Sequence, residues 1–317
     1  MWNKFDIVFT LKSPLHIGYL PFKGTVISPT RYYIPGKNFW GAITKRATEY
    51  LCNNPLCNNP SKEYKDIGRQ FKDNFRFSYF YLYDDKTVFI PKYDEGGLNF
   101  GGKLDKFQFE HRFIGSRVST AIDSNTRTAK DGNLHEIEFI NNKFIDEKGN
   151  IRNTKIIGCI WIKEDAKWNG FNIELDGNNK LILSNNQNKY DLIDELTLGG
   201  EQGYGFGLVK LESISKNGKF PINSEENSNG EIKITNTEPI LSHLKYDKNI
   251  NFKGEIEPLS GRGYFDIEKE NQQEGLSYKA NPGKVLASLN YYFSPGTYIF
   301  NSEKELLLEW NGVLHWQ

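Results

Sequence analysis

The run Leu198-Gly-Gly-Glu-Gln-Gly203-Tyr-Gly-Phe-Gly207 places five glycines in the nine residues from Gly199 to Gly207. Just upstream, Leu192, Ile193 and Leu196 stand at helical spacing within Tyr190 to Leu196, and downstream Phe206 to Ile214 has the character of a strand. A helix is therefore expected to enter the run and a strand to leave it. That order excludes a dinucleotide fingerprint, which needs a strand before and a helix after, and no Gly-Lys-Ser/Thr follows to make a phosphate loop. Two readings stay open. One is a helix-to-strand turn needing positive φ, for which one or two glycines suffice. The other is a stretch of bare backbone amides that lets an extended ligand, such as a phosphodiester chain, come close.

Working outward, Lys4 to Leu11 alternate and are rich in Phe, Ile and Val, a strand ended by Ser13-Pro14. A Gly/Pro loop from Gly18 to Gly36 leads to Asn38, the expected N-cap. Phe39, Ile43, Ala47 and Tyr50 then predict a helix from Asn38 to Leu51. Asn53 to Asn59 is a breaker loop. Phe77 to Tyr83 and Thr87 to Ile90 predict a hairpin around Asp84-Asp85-Lys86. Phe107 to Ile122 and Asn133 to Ile140 are strand-like runs joined by the polar connection Asp123 to Gly132, and Ile156 to Ile162 is a strand of the buried type. The expected fold class is α+β, a ferredoxin-like (RRM-like) β-α-β-β-α-β core with a large hairpin insertion around 107–140. Residues 1–216 make up this unit. Asn217 to Gly230 is expected to be a flexible linker, and 217–317 a β-rich C-terminal region with runs at Ile232–Thr235, Leu286–Tyr292 and Leu306–Trp310.

The chain has 317 residues, 38% hydrophobic and 25% charged, which supports a sizeable core and excludes global disorder. Forty basic and forty acidic residues give a formal net charge of zero, unlike the basic surplus of a generic nucleic-acid binder. The distribution is uneven. From Met1 to Thr48, Lys4, Lys12, Lys23, Arg31, Lys37, Lys45 and Arg46 face the single acid Asp6, a local surplus of +6 balanced by −6 in the remainder. Tyr19, Phe22, Tyr32, Tyr33 and Trp40 lie among these cations. Interleaved aromatic and basic residues suit single-stranded nucleic acid, by stacking and phosphate neutralisation, although the same aromatics serve equally as core.

Three cysteines, Cys52, Cys57 and Cys159, exclude a densely bridged secreted domain and suit a reducing cytosol. Cys52-x4-Cys57 has no second Cys/His pair at finger spacing, so no structural zinc is expected. The N-terminus lacks an apolar signal-peptide core and no apolar run is long enough to span a membrane, so a cytoplasmic protein without a membrane partner is expected. His16, just past the first strand and near cations, is the one candidate general base, for RNA cleavage by 2′-hydroxyl attack, against a structural role in its loop. Asp123, Asp131 and Glu138 match no metal-binding loop, and no cofactor is expected.

Taken in order, Ser13-Pro-Leu-His-Ile-Gly18, Tyr33-Ile-Pro-Gly36 leading into Phe39-Trp-Gly-Ala42, and Leu198-Gly-Gly-Glu201 with Gly203-x-Gly205-Phe-Gly207 resemble the RAMP superfamily of CRISPR-associated proteins. Ser116 to Asp123, Thr126 to Leu134 and Glu136 to Glu138 are similar to that family's thumb hairpin, which in type III effector subunits reaches across the guide RNA. The resemblance covers about Phe5 to Leu211. It implies RNA binding on the ferredoxin-like core. The implied partners are crRNA and other effector subunits, in a handle-capping or type III-D-like role within an antiviral type III ribonucleoprotein. Target-cleaving members carry an Asp between the His-Ile-Gly and Ile-Pro-Gly elements. Tyr19 to Tyr33 here contains no Asp or Glu, so no target cleavage by this chain is expected.

On this reading Lys23, Arg31, Lys37, Lys45 and Arg46 neutralise guide phosphates, Arg112, Arg117 and Arg127 contact nucleotides from the thumb, and the backbone at Gly199, Gly200, Gly203, Gly205 and Gly207 packs along the RNA. The rival readings are a metal-independent pre-crRNA endoribonuclease using His16, and a protein-interaction module whose glycine run is only a turn.

Overall fold

A computed structural model describes residues 1–18, 26–53, 60–168, 170–176, 180–185, 189–216, 218–235, 238–259, 262–263, 285–286, 290–300 and 304–317. Along the chain we label β1 (Trp2–Leu11), α1 (Gly36–Cys52), α2 (Pro60–Asn74), β2 (Phe80–Tyr83), α3 (Lys106–Phe113), β3 (Ile114–Ser119), β4 (His135–Ile140), β5 (Lys155–Lys163) and β6 (Leu208–Ser215). The fold is α+β and dominated by strands. Its central sheet runs in the order Glu195–Thr197, β6, β1, β5, β2, Tyr33–Ile34, with Phe75–Phe77 also paired to β5. All of these pairs are antiparallel; β1 and β5 match from Trp2↔Lys163 to Thr10↔Lys155.

The continuous apolar run of β5 has a simple cause, because both faces of the sheet are covered. Ile156, Ile160 and Ile162 join the core under the helices, with Phe5, Ile7, Phe9 and Leu11 of β1, Phe39 and Ile43 of α1, and Ile67 and Phe71 of α2. Ile157, Cys159 and Trp161 point the other way, into a second core with Tyr79, Tyr81 and residues of the C-terminal region. Alternate side chains of a strand face opposite sides, so two covered faces leave no polar positions. Gly158 is required here: a Cβ would lie 2.6 Å from the Phe80 ring that packs across the strand.

Thr87 to Ile90, the second arm of the expected hairpin, meets Tyr83 only through an isolated bridge at Val88, and four further elements differ from the sequence-based expectation. First, α1 starts at Gly36 with Pro35 at the N-cap position and no side-chain cap, so Asn38 lies inside the helix. Second, α2 occupies residues to which the reading assigned nothing. Pro60 at its first position and the i, i+4 pair Ile67/Phe71 are the local signals for it.

Third, the first half of the predicted strand Phe107 to Ile122 is α3. Asp105 Oδ1 accepts from Gln108 N at 2.8 Å and Gln108 Oε1 accepts from Asp105 N at 3.1 Å, a reciprocal capping box that starts a helix burying Phe109 and Phe113 one turn apart. Asp105→Ala is expected to destabilise the chain by about 1 kcal/mol, measured as a lower urea midpoint; an unchanged midpoint would contradict this role for the box.

Fourth, the expected short helix Tyr190 to Leu196 is strand, turn and strand. Asp191 Oδ1 accepts from Ile193 N (3.2 Å) and Asp194 N (3.0 Å), bending the chain between Lys189–Asp191 and Glu195–Thr197. Instead of a second core helix, residues between β5 and β6 form a four-stranded antiparallel sheet: Lys167–Trp168, Phe171–Leu175, Leu181–Ser184 and Lys189–Asp191. It packs against the helices through Tyr190 stacked on Tyr50 at 4.0 Å and Trp168 against Phe71 at 5.9 Å.

The stretch expected as a flexible linker is in part anchored. Phe220 and Ile222 are buried, Phe220 N donates to Asp6 Oδ2 at 2.7 Å, and Ser224–Glu226 pairs with Ile232–Ile234. The C-terminal region is β-rich. Its main sheet runs Ser224–Glu226, Ile232–Ile234, Leu306–Leu308, Leu314–Trp316, Leu244–Lys245, Asn290–Phe293, Ile256–Leu259. The breaker loop 54–59, with Cys57, lies outside the described residues, whereas Cys52 is disulfide-bonded, unlike the reduced thiol expected, and Cys159 is a buried free thiol. Among the described residues no helix is long and apolar enough to cross a membrane, a statement that does not bear on β-barrels.

Candidate nucleic-acid interface

The strap after β1 lies between the glycine-rich loop and β4, and backbone hydrogen bonds hold it on both sides. Gly207 N donates to Pro14 O at 2.7 Å, Gly200 N to His16 O at 2.9 Å, and Leu15 and Ile140 exchange bonds of 2.9 and 2.8 Å. The loop itself closes through Leu198 N to Gly207 O at 2.9 Å. This packing divides the glycines into two kinds. Gly199 (φ +73°) and Gly207 (φ +89°) are required by the fold, because a Cβ would lie 2.2 Å from His16 O and 2.0 Å from Leu198 O respectively. Gly205 (φ +82°) needs the left-handed region but faces open space. Gly203 has neither reason: its φ is ordinary and a Cβ would meet nothing within 4 Å. Gly200 is intermediate, its Cβ position 3.3 Å from His16 Cδ2.

Between the glycines, Gln202–Tyr204 forms a short 3₁₀ turn flanked by left-handed Glu201 (φ +56°) and Gly205. Gln202 is its tether. Its Nε2 donates to Gly199 O at 3.0 Å, while its Oε1 accepts from Lys45 Nζ of α1 at 3.1 Å. Lys45, half exposed, also pairs with Glu49 at 3.8 Å. At the foot of the loop, Phe206 meets Phe139 of β4 edge-on at 5.3 Å, joining the loop to the base of the β3–β4 hairpin. Lys45 of α1, the glycine-rich loop and the hairpin base are therefore joined by direct contacts. The sequence reading passed over Gln202 and Tyr204 as spacers. A polar and an aromatic residue alone among glycines is the signal that was available.

The remaining predicted residues distribute differently. Lys23 lies outside the described residues. Arg46 donates to the carbonyls of Glu195 (2.6 Å) and Asp191 (3.4 Å) and lies over the Tyr190 ring, so it ties α1 to the strands beside it. Arg112 is on α3, not on the hairpin, and is largely buried over the rings of Phe144, Phe113 and Phe89, with Asp84 at 3.5 Å. Arg117 on β3, opposite Ile137, and Arg127 at the hairpin tip are exposed. Asp123 shapes that tip by accepting from Asn125 N (2.8 Å) and Thr126 N (3.0 Å), bonds that hold its carboxyl below the ordinary range.

Arg31 is the clearest correction. Its side chain is 4% exposed and faces inward, donating to Glu257 Oε2 at 2.8 Å and to the Tyr33 hydroxyl at 2.7 Å. Around them, His243 Nε2 lies 2.6 Å from Glu257 Oε1 and His243 Nδ1 2.6 Å from the Tyr79 hydroxyl. The partners assign a neutral ring that donates from Nε2 and accepts at Nδ1. Burial pushes the His243 pKa down to about 4. Burial alone would raise that of Glu257, but the hydrogen bond from His243 and the Arg31 charge hold it well below its ordinary value. Lys37, half buried, is pushed down to about 8 by burial and by the Arg31 charge. A guanidinium neutralised in the core is not presented to phosphates.

His16 is also buried, with Nδ1 2.6 Å from Glu138 O. Nε2 is the ring nitrogen left for proton chemistry, and Gly18 borders it so closely that a Cβ would lie 3.2 Å away. The Glu138 carboxylate accepts from Thr30 N at 3.2 Å and does not converge with Asp123. Among the described residues no group of three or more His, Cys, Asp or Glu is placed to hold a metal.

Comparison with known proteins adds the family. No curated protein matches this chain. Among solved structures, a chain of the cryo-EM structure of the type III-B Cmr-beta bound to cognate target RNA is similar at 13% identity and a TM-score of 0.48, covering 93% of this chain and 86% of that one. The same complex with cognate target RNA and AMPPnP gives 14% identity, a TM-score of 0.48, and 93% and 85% coverage. Its apo state gives 11%, 0.31, and 66% and 96%. The RAMP superfamily model matches residues 8–210, from β1 through the glycine-rich loop into β6, and the chain belongs to the RAMP superfamily.

Proposed function

We propose that this chain is a non-catalytic guide-RNA-binding subunit of a type III CRISPR effector ribonucleoprotein, working in the cytoplasm beside other effector subunits. The observation that carries the reading is Gly203: neither its packing nor its backbone conformation calls for glycine, yet it lies in the loop that Lys45 tethers. An absent side chain with no structural cause fits close approach of another backbone, and the neighbouring cation fits a phosphodiester. Residues 1–216 act as the RNA-binding unit, with β6, β1, β5 and β2 in the 4-1-3-2 order of a ferredoxin-like sheet whose second helix is replaced by strands. The β3–β4 hairpin acts as the thumb, with Arg117 and Arg127 toward nucleotides. The β-rich region 217–317 and the single glycine-rich loop favour a handle-capping or type III-D-like subunit over a repeated backbone subunit.

The test is salt dependence. The affinity of the full chain for guide RNA should fall linearly with salt on logarithmic axes, and Lys45→Gln should reduce that slope by about one. An affinity insensitive to salt would sink the electrostatic reading. The purified native complex should also carry small RNA.

A further inference from the structure

We propose that the ring of Tyr204 is a stacking platform for one unpaired RNA base, set beside the open backbone of the glycine-rich loop. This inference rests on the RNA-binding reading above and extends it from phosphate contact to base contact. Tyr204 is 66% exposed and takes part in no ring pair among the described residues, although most of the chain's aromatics are packed in its two cores. Its chain neighbours are Gly203 and Gly205, at each of which even an added Cβ would meet nothing within 4 Å, so no adjoining side chain covers the ring.

The ring is presented on a pre-ordered turn. Tyr204 N donates to Glu201 O at 2.9 Å, Gly205 N donates to Gln202 O at 3.0 Å, and Gln202 is held from both sides by Gly199 O and Lys45. Glu201 keeps the left-handed conformation (φ +56°) that L residues adopt only when their surroundings impose it. A loop already fixed loses little further freedom on binding, which favours contact by a rigid aromatic. Its setting also separates a base from a protein partner. An aromatic anchor for protein docking sits within a ring of packed contacts that exclude water, whereas Tyr204 stands between glycines, next to Gln202 and its Lys45 tether. An isolated π-face on a loop that a cation tethers suits a base attached to a phosphodiester.

The experiment compares full-length wild type, Tyr204→Ala and Tyr204→Phe by fluorescence anisotropy. The two probes are single-stranded oligoadenylate of about 12 nucleotides and an abasic ribose-phosphate chain of equal length. Wild type should bind oligoadenylate more tightly than the abasic chain. Tyr204→Ala should weaken oligoadenylate binding by about 5- to 150-fold and leave abasic binding and the salt slope unchanged. Tyr204→Phe should retain the preference, because the ring and not the hydroxyl stacks. Equal oligoadenylate affinity for wild type and Tyr204→Ala overturns the inference alone and turns the ring over to a protein contact. No binding of either probe by wild type overturns it together with the RNA-binding reading.

Discussion

Glu257→Ala lowers the free energy of unfolding by about 3–5 kcal/mol, the size expected when one member of a buried ion pair is removed and the other remains. Arg31, 4% exposed, then keeps its charge in the interior without the carboxylate that neutralises it, and His243 loses the acceptor for its Nε2 proton. Chemical denaturation at pH 7.5 measures the loss. A variant unfolding at the wild-type midpoint would mean that the pair is not buried as described. Glu257→Gln keeps an acceptor but not the charge and should fall between the two.

The same network makes stability depend on acidity. The folded-state pKa of His243 is depressed to about 4 from 6.5, so the unfolded chain takes up a proton that the folded chain resists as pH falls through this interval. Glu257 is also depressed, so its contribution is present above its ordinary value of 4.5 and is lost as pH falls further toward its folded value. Both effects point the same way, and the melting temperature should be lower at pH 5 than at pH 7.5. Glu257 is a partner that raises the His243 pKa, so its removal leaves the histidine's share in place and the drop should persist in Glu257→Ala.

Gly207→Ala is expected to destabilise the chain by about 2–5 kcal/mol and, on the proposed function, to abolish RNA binding with it. The added Cβ would stand 2.0 Å from Leu198 O at a φ of +89°, and the loop cannot relieve the overlap without breaking Leu198 N to Gly207 O or Gly207 N to Pro14 O. Gly203→Ala is the matched control in the same loop. With ordinary φ and open space it should melt within about 0.5 kcal/mol of wild type. Calorimetry on the pair decides the matter, since equal melting temperatures would contradict the division of the glycines into two kinds.

Legibility of this protein followed the range of the interactions involved. β1 and β5 were readable because alternation in one and continuous burial in the other are local consequences of which sheet faces are covered. α3 was misread because Phe107 and Phe109 alternate like a strand while Phe109 and Phe113 repeat like a helix, and the Asp105/Gln108 capping box settles the competition. Tyr190 to Leu196 was misread because adjacent Leu192 and Ile193 fit a helix face, yet the Asp191 side chain captures two amides and bends the chain. At the candidate site, the ordered motifs identified the family. Which cations remain on the surface did not follow from them.

By itself the sequence determined the family, the class, the two strands at the centre of the sheet and the place of the glycine-rich loop, all properties of short patterns and their order. Only the tertiary structure decided that Arg31 serves the core and Lys45 the loop. Arg31 meets Glu257 across 226 positions of chain and Lys45 meets Gln202 across 157. A basic residue carries the same charge in either setting. Whether it faces a half-buried carboxylate or open solvent depends on which distant segment the fold brings against it.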